Sequence, residues 1–410
     1  QSSYDIRVRT TDAGGLSTEQ TFTVSINDLN EAPTVLTLSN SNLDENVAAG
    51  TAIGTFSSTD PDAGDTFTYT LVAGAGDTDN AAFTIVGDQL QINVAPDFET
   101  QSSYDIRVRT TDAGGLSTEQ TFTVTINDLN EAPTVLALSN SNLDENVAAN
   151  TAVGTFSSTD PDAGDSFTYS LVAGAGDTDN AAFTIVGDQL QINASPDFET
   201  QASYDIRVRT TDAGGLSTEQ TFTVTINDLN EAPTDISLSN STLAENTDTT
   251  GGVAVGNLSA TDEDAGDTFT YAVVGGADQA VFSISGNQLL LDDGVLDFET
   301  RNSYMVDIEV TDQGGTGLTF TETFTITVTN DNEAPTALAL SNSNLDENVA
   351  AGTAVGTFRS TDPDTGDTFT YSLVAGAGDT DNAAFTIVGD QLQINAAPDF
   401  ETQASYDIRV

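Results

Sequence analysis

The chain has 410 residues, with 64 acidic side chains against nine basic ones, and every basic residue is an arginine. The formal net charge of −55 excludes an electrostatic interface for nucleic acid or an anionic membrane surface, because both need basic side chains to displace counterions. Histidine, cysteine and lysine are absent, so disulfides and the commonest catalytic side chains are missing, and we expect no enzymatic activity. No apolar run reaches the roughly 20 residues of a membrane helix, so we expect no membrane insertion within these residues.

An internal repeat with a period of about 100 residues organises the chain. The segment SYDIRVRTTDAGGLSTEQTFTV occurs at 3–24, 103–124 and 203–224, and the looser copy SYMVDIEVTDQGG follows at 303–315. If each unit ends at Ala-Pro, complete repeats occupy 34–133, 134–233 and 234–335. We interpret 1–33 as the C-terminal part of one repeat and 336–410 as the N-terminal part of another, and we expect a longer array around them.

The apolar residues within one repeat alternate with polar ones, which is typical of half-buried strands. In the repeat 134–233 the runs are 135–138, 153–156, 167–171, 183–185, 190–192, 204–208 and 222–226. Clusters of Gly, Asp, Asn and Pro separate the runs, and no segment keeps a helical period. The pattern predicts an all-β chain of seven-stranded antiparallel Greek-key sandwiches of the immunoglobulin-like type, joined by short linkers into an extended rod.

Acidic side chains concentrate at the strand ends and in the linkers. The repeat 134–233 has fifteen acidic side chains against two arginines, and the linker INDLNEAPT recurs at 26–34, 126–134 and 226–234, then as TNDNEAPT at 329–336. Crowded carboxylates repel one another unless a cation lies between them. Calcium accepts six to eight oxygen ligands of this kind, magnesium prefers to keep its waters, and transition metals lack their imidazole and thiolate ligands here.

Five motifs in fixed order resemble the extracellular cadherin repeat, in the form found in large bacterial surface adhesins. These motifs are LDEN, TDPD, PDFET, TDAGG and NDLNEAP, and the resemblance extends over essentially the whole chain. The resemblance implies two or three Ca²⁺ ions at each junction between consecutive repeats. It also implies a cadherin-type sandwich for each repeat.

The resemblance implies one ligand set for each junction. For the junction at 28–31 the set is Asp28, Asn30, Glu31, Asp60, Asp62 and Asp112. For the junction at 128–131 it is Glu45, Asp97, Glu99, Asp128, Asn130, Glu131, Asp160, Asp162 and Asp212. For the junction at 228–231 it is Glu145, Asp197, Glu199, Asp228, Asn230, Glu231, Asp262, Asp264 and Asp312. For the junction at 330–333 it is Glu245, Asp297, Glu299, Asn330, Asn332, Glu333, Asp362 and Asp364.

Several departures from the family pattern qualify these expectations. Asn330 stands where the other linkers have Asp, with Asp331 directly after it, so we expect this junction to bind calcium more weakly or through a shifted ligand. The linkers lack one residue that the family usually has before the Pro, which leaves the number of ions open. The absence of tryptophan means that the strand exchange of vertebrate members is not carried over. For Arg7 and Arg9, and their equivalents Arg107 and Arg109, we predict local charge balance.

Taken together, the sequence predicts a calcium-rigidified extracellular stalk, secreted or anchored at the cell surface, in a bacterial adhesin. Its expected partners are calcium and either other copies of the same chain or a cell-surface or matrix ligand. One alternative is a subunit of a self-assembling extracellular filament or biofilm fibre. A weaker alternative is a spacer within a secreted multidomain enzyme.

Overall fold

The computed structural model describes residues 2–315 and 317–410 of the chain. It divides into two compact units, Gln1–Asn227 and Asp228–Val410. Within the described ranges, no helix is both long enough and apolar enough to cross a membrane.

The first unit contains a two-stranded hairpin followed by two sandwiches. The hairpin strands are β1 (Ser3–Thr11) and β2 (Ser17–Ser25). The first sandwich is built from β3 (Val35–Leu38), β4 (Asn42–Asp44), β5 (Ala52–Thr59), β6 (Thr68–Leu71), β7 (Phe83–Val86), β8 (Gln89–Ile92), β9 (Ser103–Thr111) and β10 (Ser117–Asn127). The second is built from β11 (Val135–Leu138), β12 (Asn142–Asp144), β13 (Ala152–Thr159), β14 (Thr168–Leu171), β15 (Phe183–Val186), β16 (Gln189–Ile192), β17 (Ser203–Thr211) and β18 (Ser217–Asn227).

The second unit contains one complete sandwich and a further sheet. The sandwich is built from β19 (Asp235–Leu238), β20 (Thr242–Ala244), β21 (Val253–Thr261), β22 (Phe269–Gly275), β23 (Phe282–Ser285), β24 (Gln288–Leu291), β25 (Ser303–Asp312) and β26 (Thr319–Thr329). The further sheet consists of β27 (Ala337–Leu340), β28 (Ala354–Thr361), β29 (Phe385–Val388) and β30 (Gln391–Ile394). Short 3₁₀ turns at Asn80–Ala82, Asn180–Ala182, Gln279–Val281 and Asn382–Ala384 precede β7, β15, β23 and β29.

Each complete sandwich has two four-stranded sheets. In the repeat 34–133 one sheet has the order β3-β5-β8-β7 and the other the order β4-β10-β9-β6. The segment 35–44 contributes β3 to the first sheet and then β4 to the second, where β4 runs parallel to the end of β10. The crossing places the residues after β4 beside the linker that follows β10, where the candidate site lies.

The core of each sandwich lies between its two sheets, as the alternating pattern predicts. In β9 every second residue is buried, and Ile106 and Val108 have no exposed surface. Their equivalents Ile206 and Val208 in β17 are buried in the same way. Fully burying one such aliphatic side chain contributes about 1.5–3 kcal/mol, so this strand carries much of the apolar stabilisation.

The predicted all-β fold class is confirmed. The seven apolar runs predicted in 134–233 correspond to β11, β13, β14, β15, β16, β17 and β18. The structure adds the three-residue strand β12, which the alternation did not reveal, and its pairing with β18 is parallel. The charge balance predicted for the arginines is also confirmed, because Arg107 and Arg109 both pair with Glu119 on the neighbouring strand.

Candidate metal centre

The residues after β4 place a glutamate inside the protein at the end of the first sandwich. Glu45 is 1% exposed, and its Oε2 accepts a hydrogen bond from the backbone N–H of Phe98 at 2.9 Å. Its Oε1 accepts one from the backbone N–H of Leu129 in the linker at 2.7 Å. Glu45 therefore ties two loops of its own repeat to the linker that leads to the next repeat.

The asparagine of the LDEN motif has a positional role. Asn46 has a φ of 61°, a left-handed conformation that asparagine tolerates better than most residues. Its Nδ2 donates to Oε1 of Glu131 at 2.5 Å. The LDEN motif thus holds two carboxylates, Glu45 directly and Glu131 through Asn46, at the same end of the sandwich.

Carboxylates from both repeats meet at this linker. Oxygen atoms of Glu45, Glu99 and Asp128 lie within 4.8 Å of one another, and so do oxygen atoms of Glu99, Glu131 and Asp162. Glu99 belongs to the repeat 34–133 and Asp162 to the repeat 134–233. The junction therefore brings acidic side chains of two consecutive repeats and their linker into one cluster.

The opposite end of each sandwich carries a second acidic group. Oxygen atoms of Asp60, Asp62 and Asp65 lie within 4.8 Å of one another. The backbone N–H of Asp62 donates to Oδ1 of Asp60 at 2.9 Å, and Oδ2 of Asp62 accepts from the backbone N–H of Glu31 at 2.8 Å. The turn between β5 and β6 is thereby fastened to the preceding linker.

The linker asparagine reaches the loop between β9 and β10. Asn30 donates through Nδ2 to Oδ2 of Asp112 at 3.0 Å, and Asp112 is 6% exposed. Asn130 donates to Asp212 at 3.1 Å in the same way. In the second unit, Asn230 donates to Asp312 at 3.3 Å.

The electrostatics of the first unit show that its clustered carboxylates destabilise one another's charge. Partial desolvation raises the pKa of Glu99, and the Glu45 and Glu131 carboxylates raise it further. Desolvation also raises the pKa of Asp128, with the Asp162 carboxylate adding to the shift. A bound cation would reverse these effects, because an opposite charge nearby favours the ionised form.

Buried oxygen atoms without a hydrogen-bond donor show that these residues fit a hard cation. Glu131 is one example: Asn46 binds its Oε1, while its Oε2 is buried and accepts no hydrogen bond from the described residues. Further oxygen atoms of this kind are Oδ2 of Asp60, Asp65, Asp160, Asp165, Asp262, Asp267 and Asp362, Oδ1 of Asn230 and Asp312, and Oε2 of Glu333. A buried acceptor without a partner is costly, and carboxylate and amide oxygens are the ligands that calcium prefers.

The structure brings together many of the predicted ligands. In the first unit the groups with oxygen atoms within 4.8 Å of one another include Asp28 with Glu31 and Asp62, and Glu145 with Asp197 and Glu199. In the second unit Asp264 accepts the backbone N–H of Glu231 at 2.8 Å, and Asp364 accepts that of Glu333 at 2.8 Å.

The PDFET aspartates have a local role besides the predicted one. Both carboxylate oxygens of Asp97 accept hydrogen bonds from Thr100, at 3.0 Å from its backbone N–H and 2.9 Å from its hydroxyl. These bonds lower the pKa of Asp97. Asp197 and Asp297 make the same contacts with Thr200 and Thr300.

The sequence reasoning missed one acidic position. Asp65, Asp165 and Asp267 each place a buried, unpartnered oxygen atom at the turn that carries the TDPD or TDED motif. Desolvation raises the pKa of Asp65, and the carboxylates of Asp60 and Asp112 raise it further. The signal was present in the sequence as the last Asp of DPDAGD, three residues after the second Asp of the motif.

Comparisons with known proteins agree with this architecture. The Cadherin domain family model matches residues 39–127 and 240–329. Residues 139–227 are nearly identical to 39–127, so the chain contains tandem cadherin-like repeats. Cadherin domains in general bind calcium at the junctions between repeats.

The similar proteins are large. The chain is 26% identical to Protocadherin Fat 1 of Homo sapiens over 398 residues, which is 91% of this chain and 8% of that protein. It is 28% identical to Protocadherin Fat 4 of Mus musculus over 301 residues, which is 70% of this chain and 6% of that protein. The chain therefore spans less than a tenth of the length of these relatives.

Solved structures show the same fold. The extracellular domain of Protocadherin GammaB4 aligns with a TM-score of 0.67 and 20% identity, covering 98% of this chain and 68% of that one. The Protocadherin gammaB7 EC3-6 cis-dimer structure aligns with a TM-score of 0.63 and 19% identity, covering 90% of this chain and 93% of that one.

Proposed function

We propose that this chain is a segment of an extracellular stalk in a cell-adhesion protein, and that calcium at the junctions makes the stalk rigid. The observation that carries the proposal is the recurrence, from repeat to repeat, of buried carboxylate oxygens that accept no hydrogen bond from the described residues. Glu131, Asp160 and Asp165 provide three of them around one linker. A divalent cation supplies positive charge and six to eight coordination positions for such oxygens.

The residues of the chain supply the connection between repeats. Glu45 accepts a hydrogen bond from the backbone N–H of Leu129, and Asn46 donates one to the Glu131 carboxylate. The backbone N–H of Glu131 in turn donates to the Asp162 carboxylate of the next repeat at 2.8 Å. Without a cation, the repulsion among Glu99, Glu131 and Asp162 opposes this arrangement. Cation binding removes the repulsion, and the linker then loses its freedom to swing.

The bacterial origin stays a prediction. The relatives reported above are human and mouse proteins, and they share only 26–28% identity with the chain. Localisation outside the cell and contact with a surface ligand or with further copies of the chain are likewise parts of the proposal. The gammaB7 structure is described as a cis-dimer, which makes self-association worth measuring by analytical ultracentrifugation with and without calcium.

Distance measurements across one junction test the proposal. The chain has no cysteine, so cysteines introduced at Val86 and Val186, which are 55% and 56% exposed, can carry spin labels on neighbouring repeats. We expect a narrow distance distribution with calcium and a broad one with a chelator, measured by electron–electron double resonance. Superimposable distributions would show that calcium does not rigidify this junction.

A further inference from the structure

The linker at 329–336 differs from the linker at 126–134 at a position that lies among the carboxylates. Residues 122–131 and 324–333 align without a gap, so Asn330 occupies the position of Asp128. In the first unit Asp128 lies with Glu45 and Glu99 in a group of three carboxylates. In the second unit Nδ2 of Asn330 instead donates to Oε1 of Glu299 at 3.3 Å. The exchange removes one negative charge and occupies an oxygen of the neighbouring glutamate.

Asp331 occupies the linker position after that of the missing carboxylate. Its backbone N–H donates to Oε1 of Glu245, just as the backbone N–H of Leu129 donates to Oε1 of Glu45. Asp331 therefore occupies the position of Leu129, which is 42% exposed, and Asp331 is itself exposed. The preserved register therefore places Asp331 at an exposed linker position, one residue after the position of Asp128.

Glu245 and Asn246 make the same hydrogen bonds around the exchanged residue as Glu45 and Asn46 make in the first junction. Glu245 is 3% exposed and accepts the backbone N–H of Phe298 at 3.0 Å. Asn246 donates to Oε1 of Glu333 at 2.6 Å, and Glu333 donates its backbone N–H to Asp364 at 2.8 Å. The two junctions thus share these hydrogen bonds and differ in charge at two linker positions, because Asn330 stands at the position of Asp128 and Asp331 at the position of Leu129.

From this difference we infer that the junction at 330–333 is a calcium-sensitive hinge, which needs a higher calcium concentration than the junction at 128–131 to become rigid. The inference rests on the proposed function, because it concerns the same kind of site. Calcium affinity depends on the number of charged ligands, and a change among the residues around a metal typically costs 10–100-fold in affinity. As calcium falls, the junction at 330–333 becomes flexible before the junction at 128–131.

The test compares the two junctions within the full chain. One spin-label pair at Val86→Cys and Val186→Cys reports on the junction at 128–131. A second pair at Ser285→Cys and Val388→Cys, at exposed equivalent positions, reports on the junction at 330–333. The calcium midpoint is the calcium concentration at which half of the narrowing of the distance distribution has occurred. We expect this midpoint to be about tenfold higher for the second pair than for the first.

Reciprocal substitutions identify the cause. Asn330→Asp should lower the calcium midpoint of the second pair by about tenfold, and Asp128→Asn should raise that of the first pair by a similar factor. Asp331→Asn should leave the midpoint of the second pair unchanged, because Asp331 occupies the exposed position of Leu129 and not that of Asp128. Circular dichroism in saturating calcium confirms that each variant is folded.

The outcomes separate the hinge from the proposed function. Equal midpoints for the two pairs in the parent chain, with both distributions narrowing, would overturn the hinge and leave the calcium-stiffened stalk intact. A raised midpoint in Asp331→Asn would also overturn the hinge, because it would make Asp331 a ligand. If neither distribution narrowed with calcium, both inferences would be wrong.

Discussion

At the scale of single residues, the linker depends on a glycine that leaves room for an amide. A Cβ atom at Gly214 would lie 1.8 Å from Oδ1 of Asn130, and one at Gly114 would lie 2.0 Å from Oδ1 of Asn30. Neither glycine has a left-handed backbone, so the requirement comes from the contact and not from φ. The loop between β17 and β18 can therefore seat the linker only if the TDAGG motif keeps its first glycine.

The substitution Gly214→Ala tests this contact. The added methyl group must displace Asn130, which would lose its hydrogen bond to Asp212 and draw the linker away from the carboxylates. We expect a higher calcium midpoint for the spin-label pair at positions 86 and 186, with the chain still folded. The measurement is the calcium titration of the distance distribution.

Gly215→Ala provides the matched control. Gly215 has a φ of 95°, and a Cβ there would meet no atom within 4 Å, so this substitution strains the backbone without touching the linker. It should cost about 1 kcal/mol of folding stability and lower the melting temperature, while the calcium midpoint stays unchanged. If the two alanine variants changed the calcium midpoint equally, backbone strain would explain the effect and the contact would not.

At the scale of secondary-structure elements, an arginine on β9 holds the loop between β6 and β7. Nη1 of Arg107 donates to the backbone carbonyl of Ala75 at 2.9 Å, and its guanidinium also pairs with Glu119 on β10. Arg109 pairs with the other oxygen of Glu119. A Cβ at Gly74 would lie 2.9 Å from Nε of Arg107, so that glycine allows the guanidinium to lie against the loop.

The repeat 234–335 shows what happens when this arginine is absent. Asp307 stands at the position of Arg107, and the loop shortens from eleven residues at 72–82 to six at 276–281. In the shorter loop Gly276 packs directly against the backbone of Val306, where a Cβ would lie 2.5 Å from Cα. The longer loop and the arginine therefore occur together. The longer loop is held by the arginine side chain, whereas the shorter loop lies directly against the backbone of the strand.

Arg107→Ala should release this loop. We expect faster hydrogen exchange in residues 73–80, while β9 and β10 keep their protection because the strand ladder is unchanged. Arg109→Ala is the control, since it also removes a partner of Glu119 but makes no contact with the loop. Equal exchange in the loop of both variants would show that the ion pair with Glu119, and not the contact with Ala75, orders the loop.

The sequence predicted the strands of four or more residues and missed the three-residue strands. Strands such as β17 and β18 alternate apolar and polar residues over many positions, so the period of two was clear. β4 and β12 have three residues each, which is too few to show a period, although they position Glu45 and Glu145.

Acidic residues of the candidate site were predicted where they belong to a recognisable motif. They were missed where the same residues are also typical of a surface turn. The resemblance carried by LDEN and NDLNEAP pointed to Glu45 and Glu131, and the structure places both in acidic clusters. Asp65 was missed because Asp and Gly in DPDAGD suit a surface turn, and only the structure shows its Oδ2 buried beside Asp60. The sequence also did not reveal the hydrogen bonds between Asp97 and Thr100. An aspartate at this spacing can either accept hydrogen bonds within its own turn or bind a metal, and the spacing does not distinguish the two roles.

At the scale of the whole molecule, a net charge of −55 opposes folding as well as aggregation. Part of the repulsion is spread over the surfaces, and part is concentrated in clusters whose oxygen atoms lie within 4.8 Å of one another. Monovalent salt weakens both parts, because the Debye length falls from about 10 Å at 0.1 M to about 3 Å at 1 M. In the proposed function, calcium differs from monovalent salt because it also coordinates the oxygen atoms of the clusters.

Salt and calcium should therefore have separable effects on the full chain. In chelator, raising monovalent salt from about 0.1 M to about 1 M should raise the midpoint of thermal unfolding, measured by circular dichroism, because it screens carboxylate repulsion. With calcium bound the same change in salt should have a smaller effect, since the clusters are already neutralised and bound ligand stabilises the folded state. Salt should not narrow the distance distribution between positions 86 and 186, because screening forms no bond across the junction. If about 1 M salt narrowed that distribution as fully as calcium does, charge screening would explain the stiffness, and the buried oxygens of Glu131 and Asp160 would not be needed as ligands.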